Sequence, residues 1–247
     1  MKIDLTNKVA VVTGATGELG RVVTRTLAGC GARVAIHYHQ AADIAAALHQ
    51  ELPGSCVVQA DVTKPDAIYR MRDEIHQQLG VPDIIVNNAV IQYEWTHVLQ
   101  QSVEDYRSQF ESCVLHNVLM AQAFVPGMIH KGWGRVIAFN TECAMQNVAN
   151  QSAYVSGKRG MDGVLRVLAR EVGEHGITVN QVAPGWTVSE TRPATGRPDS
   201  YLNAVPLKRW GTEQDIANAV AFLASDLAGF ITGVFLPVCG GNVMPTI

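Results

Sequence analysis

Val9-Ala10-Val11-Val12-Thr13-Gly14-Ala15-Thr16-Gly17-Glu18-Leu19-Gly20 is the stretch whose reading settles the fold. Its first four residues form an uninterrupted apolar run, the pattern of a parallel strand buried on both faces. A glycine-rich turn follows, and residues 21–28 read as a helix closed by Gly29 and Gly31. Strand, glycine loop and helix together let a backbone approach a diphosphate while the helix N-terminus supplies N–H donors. Gly14, Thr16, Gly17, Leu19 and Gly20 are therefore candidate cofactor contacts.

The same alternation continues along the chain. Further strands are expected at 33–36, 56–58, 83–86, 135–139, 177–182 and 234–236, and helices at 41–52, 65–79, 102–131, 152–175 and 213–224. Ser102-Val103-Glu104-Asp105 resembles a capping box, and Pro126 marks an expected kink. Strands alternating with helices imply an α/β fold: one doubly wound parallel sheet of about seven strands with helices on both faces. No repeat or linker divides the chain, so residues 1–247 read as a single dinucleotide-binding domain of the Rossmann type. In such sheets ligands bind beyond the carboxyl ends of the strands, where the loops after Val12, Ile36, Val86, Phe139 and Val182 should meet. Residues 186–206, rich in Thr, Ser, Pro and Gly, are expected to cover that site.

Composition narrows the function classes. Hydrophobic residues make up 47% of the chain and charged residues only 17%, which suits a large core with surface buried between subunits. A net charge of −3 gives no reason to expect nucleic acid or an anionic membrane as partner. Five cysteines, without Cys-x-x-Cys spacing, argue against a disulfide frame or a structural zinc site. No cluster of ligating residues suggests a catalytic metal. A cofactor-type loop already at Thr13 is read as leaving no room for a signal peptide, and no apolar run approaches the roughly 18 residues of a membrane span. A cytoplasmic protein is expected.

The chemistry centres on Ser152-Ala153-Tyr154-Val155-Ser156-Gly157-Lys158. Residues four apart on a helix share a face, so the Tyr154 phenol and Lys158 ammonium should point into one space. A free tyrosine has a pKa of about 10, and a neighbouring cation favours the phenolate and lowers it.

With these stretches in place, the whole chain resembles the classical branch of the short-chain dehydrogenase/reductase family. Besides the glycine loop, the likeness rests on Asp61-Val62, Asn87-Asn88-Ala89, Tyr154 with Lys158, Pro184-Gly185, and a tail containing residues 206–211 and Gly240-Gly241. The resemblance implies carbonyl–alcohol interconversion by hydride transfer. Tyr154 would act as acid and base, and Lys158 would lower its pKa and hold a ribose. Thr141, in the place of the family's serine, would orient the substrate oxygen. Asp61 and Val62 would meet the adenine, Asn88 and Ala89 the cofactor, and Pro184, Gly185 and Thr187 the nicotinamide. Where the family carries an acid at the end of the second strand, this chain has Tyr38 between His37 and His39. That leans toward NADP(H) over NAD(H), with Tyr38 and His39 as candidate contacts. The histidines read equally well as part of a solvated loop.

Several positions depart from the family pattern. Glu18 stands where a glycine is usual, and its carboxylate would repel a diphosphate unless it turns away. Val90 and Cys239 replace a glycine and an aspartate. Cys113 falls on the helical asparagine, with Asn117 one turn further as a stand-in. Tyr93, Trp95, Trp186 and Tyr201 could line an apolar or ring-shaped pocket, and Arg192 and Arg197 could meet an acidic substrate. Two alternatives stand beside the oxidoreductase: a catalytically weakened dinucleotide-binding homologue, and a nucleotide-sugar epimerase or dehydratase suggested by the spacing of Gly14, Gly17 and Gly20. By analogy with the family, a homodimer or homotetramer acting on a small carbonyl or alcohol is expected.

Overall fold

The computed structural model describes residues 2–189, 191–196 and 198–245. Seven strands, β1 (Val9–Val12), β2 (Arg33–Tyr38), β3 (Cys56–Gln59), β4 (Ile84–Asn87), β5 (Gly134–Phe139), β6 (Ile177–Pro184) and β9 (Phe235–Val238), form one sheet in the order β3-β2-β1-β4-β5-β6-β9. All the pairings are parallel. A two-residue pair, β7 (Thr187–Val188) with β8 (Gly211–Thr212), lies apart from it. The helices are α1 (Glu18–Gly29), α2 (Ala42–Glu51), α3 (Pro65–Gln78), α4 (Val103–Gln109), α5 (His116–Lys131), α6 (Cys143–Gln146), α7 (Ser152–Val172), α8 (Asp199–Ala204) and α9 (Glu213–Ala224).

Strand periodicity sorts the core into two layers. Val9, Val11 and Ala35 face one side with Ile68, Met71, Ile75, Met120, Phe124 and Leu165 of α3, α5 and α7. Ala10, Val12, Val34 and Ile36 face the other with Val23, Leu27, Leu48, Ile216 and Val220 of α1, α2 and α9. Successive strand residues point to opposite faces, so both must be apolar where helices cover both, which is why these strands read as continuous apolar runs. Strand order reverses between β1 and β4, and the crevice at that reversal is where such sheets bind ligands.

Two sequence expectations change. The helix expected over 102–131 is interrupted, but not at Pro126, which sits inside α5; a π-helical segment, Phe110–Leu115, separates α4 from α5. There α7 packs closely on α4: a Cβ at Gly157 would lie 2.9 Å from the Gln109 carbonyl oxygen. Glycine at 157 thus lets the helix bearing Tyr154 and Lys158 press against the preceding layer. Residues Val103–Lys131 together are also long and apolar enough to cross a membrane, with a mean hydropathy of 1.4, although 56% of that apolar window is buried within the fold. The expected capping box opens α4 in part: Ser102 Oγ accepts from the Asp105 N–H at 3.1 Å and donates to Asp105 Oδ2 at 2.6 Å.

Candidate active site

The glycine loop is fixed from three directions. Gly14 has φ +63°, a conformation L side chains rarely adopt, and a Cβ at Gly20 would come within 2.2 Å of the Gly14 carbonyl oxygen. The loop therefore tolerates nothing larger at Gly20. Asn88, just after β4, donates its side-chain N–H to the carbonyls of Thr13 and Gly14, both at 3.0 Å. Thr13 Oγ1 in return accepts the N–H groups of Asn88 and Ala89.

The third tie is His37, whose Nδ1 accepts the Gly14 N–H at 3.0 Å while Nε2 lies 3.0 Å from the Ala60 carbonyl oxygen. These partners fix the neutral tautomer with the proton on Nε2. Burial pushes the His37 pKa down to about 4. His37 is 1% exposed, so it does not belong to a solvated loop as its neighbours suggested. The alternation of β2 explains this: residues 35 and 37 face one layer, while Tyr38 packs beside Val34 and Ile36 against the other. Tyr38 therefore points away from the crevice, and His39 lines it.

Two cavities of about 620 and 440 Å³ share Glu18, Leu19, Asn88, Val90, Ile91, Gln92 and Arg192, and so form one continuous cleft beyond the strand ends. The larger half is lined by Gly14, Thr16, Gly17, Leu19, Gly20, His39, Asp61, Val62, Asn88 and Ala89. The other is lined by Leu19, Asn88, Thr141, Tyr154, Lys158, Pro184, Gly185 and Thr187. Of the sequence candidates, Tyr38, Tyr201 and Asn117 line neither half. Gln40, Thr63, Cys143 and Ser189 also line the cleft without having been singled out. Arg197 lies outside the described residues.

The structure answers the objection raised by Glu18. Its carboxylate is engaged by the Thr191 hydroxyl and lies 3.7 Å from Arg192 Nε, so it is drawn sideways to the segment after β7. The N-terminus of α1 itself carries no side-chain cap. Uncapped helix N–H groups, a loop packed too tightly for a Cβ at Gly20 and a carboxylate turned aside fit a diphosphate. Asp61 accepts from both N and Oγ1 of Thr63. Burial raises the Asp61 carboxyl, but these two bonds outweigh it and hold it below its ordinary value.

At the other end of the cleft, buried Lys158 donates through Nζ to the Phe139 carbonyl, 5.7 Å from the centroid of the Tyr154 ring. Thr141 Oγ1 accepts the Cys143 N–H at 3.2 Å, which leaves its proton to donate, and its hydroxyl also reaches the Tyr154 phenol. The sequence expectation of a depressed tyrosine pKa is not what this geometry shows. Burial, then the nearby Cys143 and Cys113 thiols, push the Tyr154 phenol well above its ordinary value, outweighing the Thr141 hydrogen bond. A phenol so placed holds its proton at neutral pH.

Other expectations resolve around this centre. Asn117 does not reach the cleft; it bonds the Cys113 carbonyl and the Asn87 side chain at 2.7 Å each. Glu142, next to Thr141 in the chain, is buried, with Asn242 Nδ2 donating to it at 3.0 Å, and burial pushes its carboxyl up. Among the described residues no cluster of His, Cys, Asp and Glu could hold a metal ion, and all five cysteines are free.

A doubly wound sheet with a glycine-loop cleft ending at a phenol, a hydroxyl and a buried ammonium defines a dinucleotide-binding oxidoreductase of the Rossmann class. Residues 14–242 match the family described as enoyl-(acyl carrier protein) reductase. The chain belongs to the short-chain dehydrogenase/reductase family. It is 36% identical over 254 residues to a 3-oxoacyl-acyl-carrier-protein reductase of Staphylococcus epidermidis, covering 96% of this chain and 100% of that one. The Escherichia coli protein of the same name is 36% identical over 242 residues, covering 96% and 98%. Among solved structures, a blue fluorescent protein from a metagenomic library in complex with NADPH superposes with a TM-score of 0.90 at 33% identity, covering 98% and 100%. A short-chain dehydrogenase of Burkholderia cenocepacia in complex with NADP does so with 0.87 at 29%, covering 96% and 98%.

Proposed function

We propose that the protein is an NADP(H)-dependent oxidoreductase that interconverts a small carbonyl compound and its secondary alcohol. When bound, the nicotinamide dinucleotide supplies or takes the hydride. Tyr154 Oη gives its proton to the carbonyl oxygen in reduction, and regains one in the reverse direction. Thr141 orients that oxygen through the hydroxyl proton left over from its bond with Cys143. Lys158 holds a ribose hydroxyl near the phenol and sets a fixed positive charge at that end of the cleft. The diphosphate rests on Gly14, Thr16, Gly17, Leu19 and Gly20 at the start of α1. Asp61 and Val62 flank the adenine, Asn88 and Ala89 the adjoining ribose, and Pro184, Gly185 and Thr187 the nicotinamide.

The observation that carries this reading is the continuity of the two cavities, which joins the glycine loop to Tyr154 in one cleft. NADP(H) is favoured over NAD(H) because His39, not a carboxylate, lines the cleft just beyond β2, where an acid would bind the ribose hydroxyls and repel a 2′-phosphate. The complexes of the two solved relatives with NADPH and NADP support the same choice. Thermal-shift titration with NADPH and NADH tests it: a ligand that binds only the native state raises the melting temperature. NADPH is expected to act at lower concentration; an equal or stronger response to NADH refutes the preference.

A homodimer or homotetramer in the cytoplasm completes the reading. Val103, Phe110 and Leu115 are exposed apolar side chains bordering a groove also lined by Gly157 and Gly160, and Val167, further along α7, is exposed as well. An apolar surface of this kind is the usual mark of a subunit contact.

A further inference from the structure

Trp95 is 45% exposed, yet the loop that carries it is held in place. Residues 88–97 have no regular secondary structure, so backbone pairing cannot position them. Side chains do so instead. Gln109, fully buried, donates to the Ile91 carbonyl at 2.8 Å. Gln101 donates to the Glu94 carbonyl at 3.1 Å and accepts from both N and Oγ1 of Thr96 at 3.0 Å. Tyr93 Oη accepts the Tyr154 N–H at 2.8 Å, tying the loop to the first turn of α7. The result is a Trp95 ring set 5.9 Å from the Tyr154 ring at 25°, with part of its surface open to the cleft. Trp186 bounds the same cavity and is fixed in its turn: its backbone N–H donates to Tyr201 Oη at 2.7 Å, and its ring stacks on Tyr201 at 5.0 Å and 11°.

We infer that Trp95 is the specificity-determining residue of the substrate end, and that it selects compact carbonyl compounds whose C=O adjoins a planar ring. This rests on the oxidoreductase reading above. The cavity holding Tyr154 measures about 440 Å³, and Asn88, Lys158, Pro184 and Thr187 line the part a nicotinamide would occupy, so the remaining space suits a compact molecule. A carbonyl brought to Tyr154 Oη carries its substituent along the face of Trp95. An alkyl chain would gain only from leaving water there, whereas a flat ring gains in addition from offset stacking on the indole. Two indoles each locked by hydrogen bonds in their loops provide that face without the entropy cost of ordering it on binding.

The test compares NADPH oxidation with methyl benzoylformate, its cyclohexyl analogue and acetoacetyl-N-acetylcysteamine, for the wild type, Trp95→Leu and Trp95→Phe. The expected order of kcat/KM is phenyl, cyclohexyl, then thioester. Trp95→Leu should shrink the phenyl-to-cyclohexyl ratio by about 2- to 10-fold, the scale of one aromatic pair, while Trp95→Phe keeps most of it. If Trp95 only supports Tyr154, Trp95→Leu lowers all three rates together and leaves the ratio unchanged, which overturns the inference. Preference for the thioester also overturns it, and leaves the oxidoreductase reading standing. Absence of oxidation with all three compounds, with NADPH shown to bind, overturns both.

Discussion

His37 makes the stability of this fold depend on pH in a way that a single substitution isolates. In the native state the ring is buried, its Nδ1 is committed to accepting from Gly14, and its pKa is lowered to about 4 by burial. In the unfolded chain it returns to about 6.5. The depressed native value means that the unfolded state binds the proton first. His37 therefore leaves stability unaffected above pH 6.5, lets it fall as pH drops from there toward about 4, and adds no further loss once the native ring also protonates. Between pH 7.5 and pH 5 the linkage expression gives a loss of about 2 kcal/mol from this residue alone. His37→Asn is the informative variant: the amide oxygen can occupy the position of Nδ1 and still accept from Gly14, but the bond to Ala60 is lost and nothing titrates. Its stability at pH 7.5 should be lower by about 1 kcal/mol, the usual cost of a hydrogen bond. Urea unfolding of both proteins at the two pH values measures the difference. The wild type is expected to lose about 2 kcal/mol more than the variant on acidification, since groups remote from residue 37 act equally in both and His116, which a charged His37 repels, is depressed chiefly by burial in either protein. Parallel losses in the two proteins would refute the assignment of a buried, neutral His37.

Gly20→Ala should remove cofactor binding before it removes the fold, because its Cβ would meet the Gly14 carbonyl oxygen at 2.2 Å and Asn88 Nδ2 at 3.0 Å. Overpacking of this kind costs about 1–3 kcal/mol; a melting point lower by about 2–12 °C and no shift on adding NADPH is the expected result, and an unchanged NADPH shift contradicts it. If the proposed oligomer forms through this face, Phe110→Glu with Val167→Glu should convert it to monomer by light scattering, since two apolar side chains per subunit, each worth about 1.5–3 kcal/mol when buried, are replaced by charges. An unchanged mass would move the subunit contact to another face.

Much of the cleft was legible in the chain because its logic is local. Parallel strands buried on both faces must be apolar at every position, and a backbone that approaches a diphosphate must be glycine, so 9–20 announces both. The pair Tyr154 and Lys158 follows from helical spacing in the same way. What escaped depends on distance or on strand parity. Glu18 looked hostile to phosphate until Thr191 and Arg192, far along the chain, were seen to draw it aside. Tyr38 was chosen over His37 although alternation from the buried Val34 and Ile36 assigns it to the opposite layer. The π-helical segment at 110–115 has no breaker residue to betray it, and Pro126, where a kink was expected, lies within α5. The upward pressure on the Tyr154 phenol has a different origin: four-residue spacing places an amine nearby but says nothing of the burial around the phenol.

The most direct test of the account is the ratio of kcat for wild type and Tyr154→Phe in NADPH-dependent carbonyl reduction, measured beside NADPH affinity in the same preparations. Removing a proton donor from a site otherwise intact should lower kcat by about 10²–10⁴ while the cofactor dissociation constant stays within about twofold. Turnover within a few-fold of the wild type would show that the proton comes from elsewhere and that the phenol at the end of this cleft is not its source.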